Sequence, residues 1–441
     1  MQIDVTIANG FLDRVEALGL APTPRTSRAW RLKEREPGRI SWFPEAIERW
    51  DDWAEGLSHR REEILSLPET IRFVNHVHEV TGAELPYIRG PISDIAEAFL
   101  RSTASVDRTD LVQTLAVEVQ DLFSSGLPVT FKSFLSGIVA AESFAPIPEV
   151  LIRPFESSDW PAWLPPGADF GAPSLTDCTI FELKARFEAL GQPFDPFDSK
   201  AYHWQKAHEK ALRILRLYRV GGVQTQRMFS VQTTLLRLPL HGQQSSGSRM
   251  ASMFAYKLGE EDRYPLEAHF AFLKDLPPWK ISELAPVDVA LERYEAAISP
   301  GRNVEEVLLY AILGIEALFR QRETNRRPFA RRVGKLLELA GLGRASEVEE
   351  RVDRAYEYRN PFVHGEALPQ AQVTDVQSML APLLEYLRLS SLLFLGLERR
   401  KETVLRDLDA ESKHRNAGQL RDKLKEIVGK LQLGGGTRAA E

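Results

Sequence analysis

A chain of 441 residues with a net charge of −6, 43% hydrophobic and 27% charged residues, has the composition of a folded protein large enough for two or three compact units. That balance excludes the overall cationic field of a histone-like protein, so any nucleic-acid contact has to be local. One cysteine, Cys178, excludes an intrachain disulfide and a cysteine-built zinc site, and it fits a reducing, cytoplasmic setting.

The opening MQIDVTIANGFLDRVEAL has early acidic residues and lacks the basic start and unbroken apolar centre of a signal peptide. The apolar runs VLLYAILGIEALF and LLFLGL fall short of a membrane span, so no membrane partner is expected. Gln2 to Ile7 reads as a strand, followed by a Pro/Arg-rich connection from Ala21 to Arg39. Pro44 then opens an expected helix, PEAIERWDDWAEGL, with Trp50 and Trp53 on one face.

Helical spacing continues over Pro68–Val80, Ile92–Ala104, Asp110–Leu122 and Thr130–Ala141. Glu149–Phe155 reads as a strand, Ser157–Pro173 as an ordered loop, and Asp177–Leu190 and Lys200–Tyr218 as helices. MFSVQTTLLRLPL, MASMFAYKL and LEAHFAFL then suggest a small antiparallel sheet of about three strands.

Beyond Trp279 the pattern is purely helical. Val304–Arg320 is apolar on nearly every face, as the central helix of a bundle should be. Pro328–Ala340 follows, stopped by Gly341. Ser346 with Glu349, and Thr374 with Gln377, have the spacing of capping boxes for two more helices, the second bent near Pro382 and running to Arg400. The expected fold is α+β overall: a mixed α/β region with a small antiparallel sheet over residues 1–280, an all-α bundle over 281–400, and a helical tail over 401–441 with a frayed end.

The stretch that suggests chemistry is YEYRNPFVHGE, which gathers Arg359, Asn360 and His364. An arginine and a histidine at such spacing also occur at Arg72 and His78 and at Arg263 and His269, so context has to choose. Asn360 supplies a second polar group, Pro361 should end or kink the helix into a cleft, and Gly365 permits close backbone approach.

From Leu291 to Gly365, with GIEALF, a helix ending AYEYRN and the closing VHG, the chain resembles the HEPN superfamily and most closely its ApeA-like branch. The resemblance implies an all-helical bundle that pairs with a second copy so that two motifs face each other, many members cutting RNA without a metal in phage defence or as toxins. It implies Arg359, Asn360 and His364 as the site, with a homodimer or higher homo-oligomer and a phage-derived or host activator as partners. One departure is Glu366, which stands where some related toxins have a modifiable tyrosine.

The side chains support such chemistry on their own terms. Cleavage of RNA without a metal needs a base for the ribose 2′-hydroxyl, and a histidine is matched to neutral pH. A guanidinium can clamp the phosphate as it gains charge. His364 would be base or acid, Arg359 the clamp and Asn360 a positioning donor. Since one histidine cannot serve as both base and acid at once, two copies would complete the site.

Glu316, in the apolar helix, needs a partner, unless it reaches the bundle edge; the resemblance, which brings these helices together, implies Arg359 as that partner. Residues 320–335 hold seven basic residues against the single Glu323; Arg320, Arg322, Arg326, Arg327, Arg331 and Arg332 are candidate RNA contacts, or a solvated helix face. His76 and His78 suit a metal only on a strand, while the surrounding pattern is helical. No phosphate loop or dinucleotide signature is present, so no cofactor and no metal are expected. The competing reading is a non-catalytic dimerisation or scaffold protein that binds a protein or RNA partner.

Overall fold

Asp4 opens the first helix, since its carboxylate accepts the Thr6 amide at 2.7 Å and caps α1 (Val5–Ala17). The strand expected at Gln2–Ile7 is therefore a helix start. The computed structural model describes residues 2–36, 39–103, 106–159, 179–186, 203–231, 233–236, 253–274, 285–321, 326–363, 370–410 and 415–433. The fold is α+β, with a small antiparallel sheet in the N-terminal half and a helical C-terminal region.

After α1 comes a long antiparallel ribbon, β1 (Thr23–Glu36) with β2 (Arg39–Asp52), in which Trp30 lies opposite Pro44 and Leu32 opposite Trp42. It replaces the helix expected from Pro44. Both strands of a two-stranded ribbon are edges, so a proline with no amide hydrogen can sit there. Trp50 is in β2 and Trp53 precedes the next helix, so the two share no helical face.

The helices α2 (Ala54–His59), α3 (Arg61–Ser66), α4 (Pro68–Thr81), α5 (Leu85–Arg89), α6 (Ile92–Ser102) and α7 (Arg108–Ser124) follow. Three of them lie where the sequence spacing puts them. Their apolar faces and that of α1 form one core, in which Phe11 stacks on Phe73 at 4.9 Å.

A second core begins at the sheet. Its strands are β3 (Pro128–Ser136), β5 (Phe144–Ile147), β6 (Val150–Pro154), β7 (Thr179–Arg186) and β8 (Gln224–Val231), in the antiparallel order β5-β6-β7-β3-β8. Between β3 and β5, β4 (Ile138–Ala140) pairs in parallel with β9 (Tyr256–Leu258). The sheet is thus wider than the three strands expected, because two expected helices are strands. Over Thr130–Ala141, the residues Phe131, Leu135 and Ile138 are buried in strands, and β7 takes the place of the helix expected at Asp177–Leu190. Short apolar runs do not separate buried strand from helix. The loop expected at Ser157–Pro173 lies outside the described residues from residue 160 onward.

Charges also tie this sheet together. Asp159, buried, accepts from Lys132 on β3 at 2.9 Å and from Arg153 on β6 at 2.6 Å, while Glu182 on β7 accepts from Arg153 at 2.7 Å. Two cations balance two anions, which is what a buried cluster requires. Against the sheet lie α8 (His203–Tyr218) and α9 (Arg263–Lys274). LEAHFAFL is in α9 rather than a strand, with Leu266, His269, Phe270 and Leu273 buried at helical spacing.

The C-terminal helices are α10 (Ala285–Ile298), α11 (Val304–Phe319), α12 (Arg326–Ala340), α13 (Ala345–Val363), α14 (Gln370–Leu397), α15 (Lys401–Asp409) and α16 (Arg415–Leu431). As its pattern implies, α11 is central, and a capping box of Asn303 and Glu306 starts it. Gly341, at φ +77°, ends α12. The helix expected from Thr374 starts at Gln370, so Thr374 lies inside α14 rather than capping it, and Glu398 at φ 50° follows its end. Over Gln372–Leu397 this helix is long and apolar enough to cross a membrane, but 78% of that window is buried in the fold. Among the described residues, the sheet, α8, α9 and the bundle share one continuous core.

Gly334 sets how closely α12 and α13 approach. A Cβ added there would lie 2.5 Å from the Ala345 carbonyl oxygen, which is backbone and cannot swing aside. Gly334→Ala is expected to destabilise the chain by about 1–3 kcal/mol despite its better helix propensity. Chemical denaturation checks this; an unchanged or raised stability would contradict it.

Candidate active site

Arg359 lies in the last turns of α13, and α13 packs across α11. Glu316 of α11 is 9% exposed, so its charge needs a partner inside the bundle. It has two. Its Oε1 accepts from Arg320 Nη1 at 2.8 Å, and its Oε2 lies 3.9 Å from Arg359 Nη2. The expected Glu316–Arg359 pairing is present, at ion-pair rather than hydrogen-bond distance.

The two arginines differ in exposure. The Arg320 side chain is 52% exposed and that of Arg359 18%, and the Arg359 guanidinium sits 5.5 Å from the Tyr356 ring centre. Arg359 Nε is buried and has no hydrogen-bond partner among the described residues. A guanidinium held by one carboxylate, lying over one ring and with an unused donor, can still donate to a phosphate oxygen.

What fixes α13 is a set of tethers to α14 that sequence reading did not single out. Tyr358 donates to Asp375 Oδ2 at 2.6 Å, Arg354 pairs with the same oxygen at 2.8 Å, and Arg351 donates to the Tyr386 hydroxyl at 2.9 Å. Arg351, Arg354 and Tyr358 recur at spacings of three and four, the usable signal for one helix face. Pro361 does not end the helix as expected, since α13 runs two residues further to Val363.

Asn360 lies on the same helix as Arg359, but its side chain is outside the described residues, and His364 is outside them altogether. Arg322 is likewise outside them, and Arg326 and Arg327 are placed only as the first turn of α12. Arg331 is exposed. Arg332 is a correction: it is 4% exposed, and it donates to Asp409 at 2.8 Å, to the Phe319 carbonyl at 3.1 Å and to Gln321 at 3.2 Å. That guanidinium fastens α12 to α15 and to the end of α11, and so it is not a phosphate contact.

The remaining histidine pairs have other roles. His76 Nε2 accepts the Asp4 amide at 2.8 Å, and His78 Nδ1 lies 2.7 Å from the Ala83 carbonyl, both on helix α4. His269, paired with Arg263 in the sequence, is fully buried against Tyr218. His208 is buried with its Nε2 2.7 Å from the Ser133 hydroxyl.

Burial pushes the His208 imidazole down to about 4, with Arg216 adding to the effect, and pushes His269 down to about 3, with Arg388 adding. Both therefore stabilise the fold as neutral rings. The unfolded chain, with histidines at 6.5, takes up protons first as pH falls. Stability is expected to be full above pH 6.5 and to be lost progressively towards pH 4, by on the order of 3 kcal/mol per histidine. Melting curves across that range check it, and His208→Asn should flatten the slope. A slope identical in the variant would contradict the assignment to His208.

No family model matches the chain, and no curated protein or solved structure matches it. The HEPN resemblance rests on the motif residues and the helical pattern around them.

Proposed function

We propose that the chain is a HEPN-type, metal-independent endoribonuclease, an antiphage or toxin-like effector whose site is completed by a second copy. The observation that supports it is Arg359, held between Glu316 and Tyr356 with an unused donor, one residue from Asn360. In this reading Arg359 clamps the scissile phosphate and Asn360 positions it. His364 removes the 2′-hydroxyl proton, and the partner's His364 protonates the leaving 5′-oxygen. Arg320 and Arg331 contact flanking phosphates. The N-terminal region senses an invader signal or restrains the nuclease.

The test is incubation of the full chain with mixed RNA and DNA in excess chelator. Cleavage of RNA alone is the expected outcome, since DNA lacks the attacking hydroxyl. RNA left intact under every activating condition, including extracts of phage-infected cells, would sink the reading.

A second reading, a non-catalytic scaffold, is favoured by the same ion pair, because a bundle that buries Glu316 needs a cation beside it whatever its function. The scaffold retains RNA or protein binding and cuts nothing.

A further inference from the structure

Among the described residues the two hydrophobic cores do not merge. The helices α1–α7 build one, and the sheet, α8, α9 and the bundle build the other. No described helix of the first packs along an element of the second. The chain crosses between them at Ser125–Leu127, three residues that lead from α7 into β3. Gly126 there has φ +79°, a left-handed backbone that glycine adopts without steric cost. Arg186, at the end of β7, donates to the Ser125 and Gly126 carbonyls, both at 3.1 Å, and to Asp121 at 2.9 Å.

A second link returns from the sheet. The segment Thr233–Leu236 follows β8, the strand hydrogen-bonded to β3, and reaches back into the first core. Leu236 is 1% exposed, and among the described residues it is the only buried side chain of that core from beyond Leu127. Glu118 on α7 spreads its carboxylate over two successive amides, accepting from Leu235 at 2.9 Å and from Leu236 at 2.8 Å. Arg101 on α6 donates to the Leu235 carbonyl at 2.6 Å. The Thr234 hydroxyl donates to the Leu236 carbonyl at 2.7 Å and closes the turn that presents both amides to one carboxylate.

We infer that Thr233–Leu236 is a latch and Ser125–Leu127 a hinge, so that release of the latch lets the N-terminal helical core turn about Gly126 with both cores intact. The two links differ in kind. The hinge is covalent, whereas the latch is one leucine and three hydrogen bonds from charged side chains to backbone. Opening it exposes that leucine and hands those bonds to water, a small cost beside unfolding either core. The latch also has leverage, because Glu118 lies about 9 Å back along α7 from Ser124, away from the pivot. The Arg186–Asp121 pair spans the pivot but is exposed, and so it contributes little against the motion. This gives the N-terminal region a joint through which to act on the rest of the chain, and it uses none of the nuclease argument.

Amide hydrogen exchange and small-angle X-ray scattering on the full chain, without RNA, test it. In wild type the Leu235 and Leu236 amides are expected to exchange at least about 10-fold faster than the buried amides of α4 and β3, through an opening that leaves both cores protected. Glu118→Ala removes both acceptors and should speed exchange at Leu235 and Leu236 by at least a further factor of about 10. Leu236→Ser, which removes the apolar anchor, should do the same. Both variants should keep the helical circular dichroism of wild type and show a larger maximum dimension in scattering. Wild-type amides at 235 and 236 as slow as those of α4 would overturn the inference. Scattering unchanged in both variants would overturn it too. Loss of helical signal in both would make the segment part of the N-terminal core rather than a latch, and that also overturns it. None of these readouts involves RNA cleavage, so a failed latch leaves the nuclease reading standing, and a chain that cuts nothing leaves the latch.

Discussion

Arg359→Ala is expected to lower RNA cleavage by about 10²- to 10³-fold while leaving the chain folded. The size follows from the role, since removing one charged donor from a developing anion costs about 2.7–4 kcal/mol of transition-state stabilisation. The fold should survive because Glu316 keeps its 2.8 Å bond from Arg320 when Arg359 is gone. The 3.9 Å contact that is lost is long, and the stability change should stay near 1 kcal/mol. Arg359→Lys separates clamp from charge: it keeps the cation and loses the planar fork, so activity should remain at least 10-fold down. His364→Ala should match or exceed the Arg359 loss. Full activity in either alanine variant would remove that residue from the site even if the chain cuts RNA.

Arg388→Ala is expected to cost about 3–5 kcal/mol, read by chemical denaturation. Arg388 is 5% exposed in α14 and donates to both Glu385 oxygens, at 2.7 and 2.6 Å. Its Nη1 also donates to the Leu217 and Tyr218 carbonyls at 2.6 and 2.9 Å, at the end of α8. One side chain therefore satisfies a helix terminus of the sheet unit from inside the bundle. Truncation leaves those carbonyls and Glu385 unpaired in a water-poor setting, and each unpaired group adds its own penalty. Arg388→Met with Glu385→Leu removes both charges together and should recover much of the loss. A single variant within 1 kcal/mol of wild type would show that α8 and the bundle are not coupled through this residue.

The helical bundle was legible because its elements are long and strongly periodic. The apolar helix Val304–Phe319, the stop at Gly341 and the need of Glu316 for a partner all came from spacing and burial rules. The N-terminal half was less legible, for identifiable reasons. At Asp4 a capping side chain overrides the alternation of the following residues. At Pro44 a proline that commonly opens a helix sits instead on an unpaired ribbon edge. Within β7 a short buried run carries no period that distinguishes strand from helix. The charge run at 320–335 shows how composition alone misleads, since Arg332 belongs to it yet is buried on Asp409. Nothing in the spacing of charges told that residue from the exposed Arg331 beside it.

The end groups of the cut RNA test the central claim most directly. Full-length chain, RNA and excess chelator are incubated together, and the fragments are analysed by mass spectrometry. Attack by the 2′-hydroxyl, with His364 and Arg359 as the working groups, leaves a 2′,3′-cyclic phosphate on one fragment and a free 5′-hydroxyl on the other. A 5′-phosphate with a free 3′-hydroxyl, or cleavage that stops when metal is withdrawn, would contradict it.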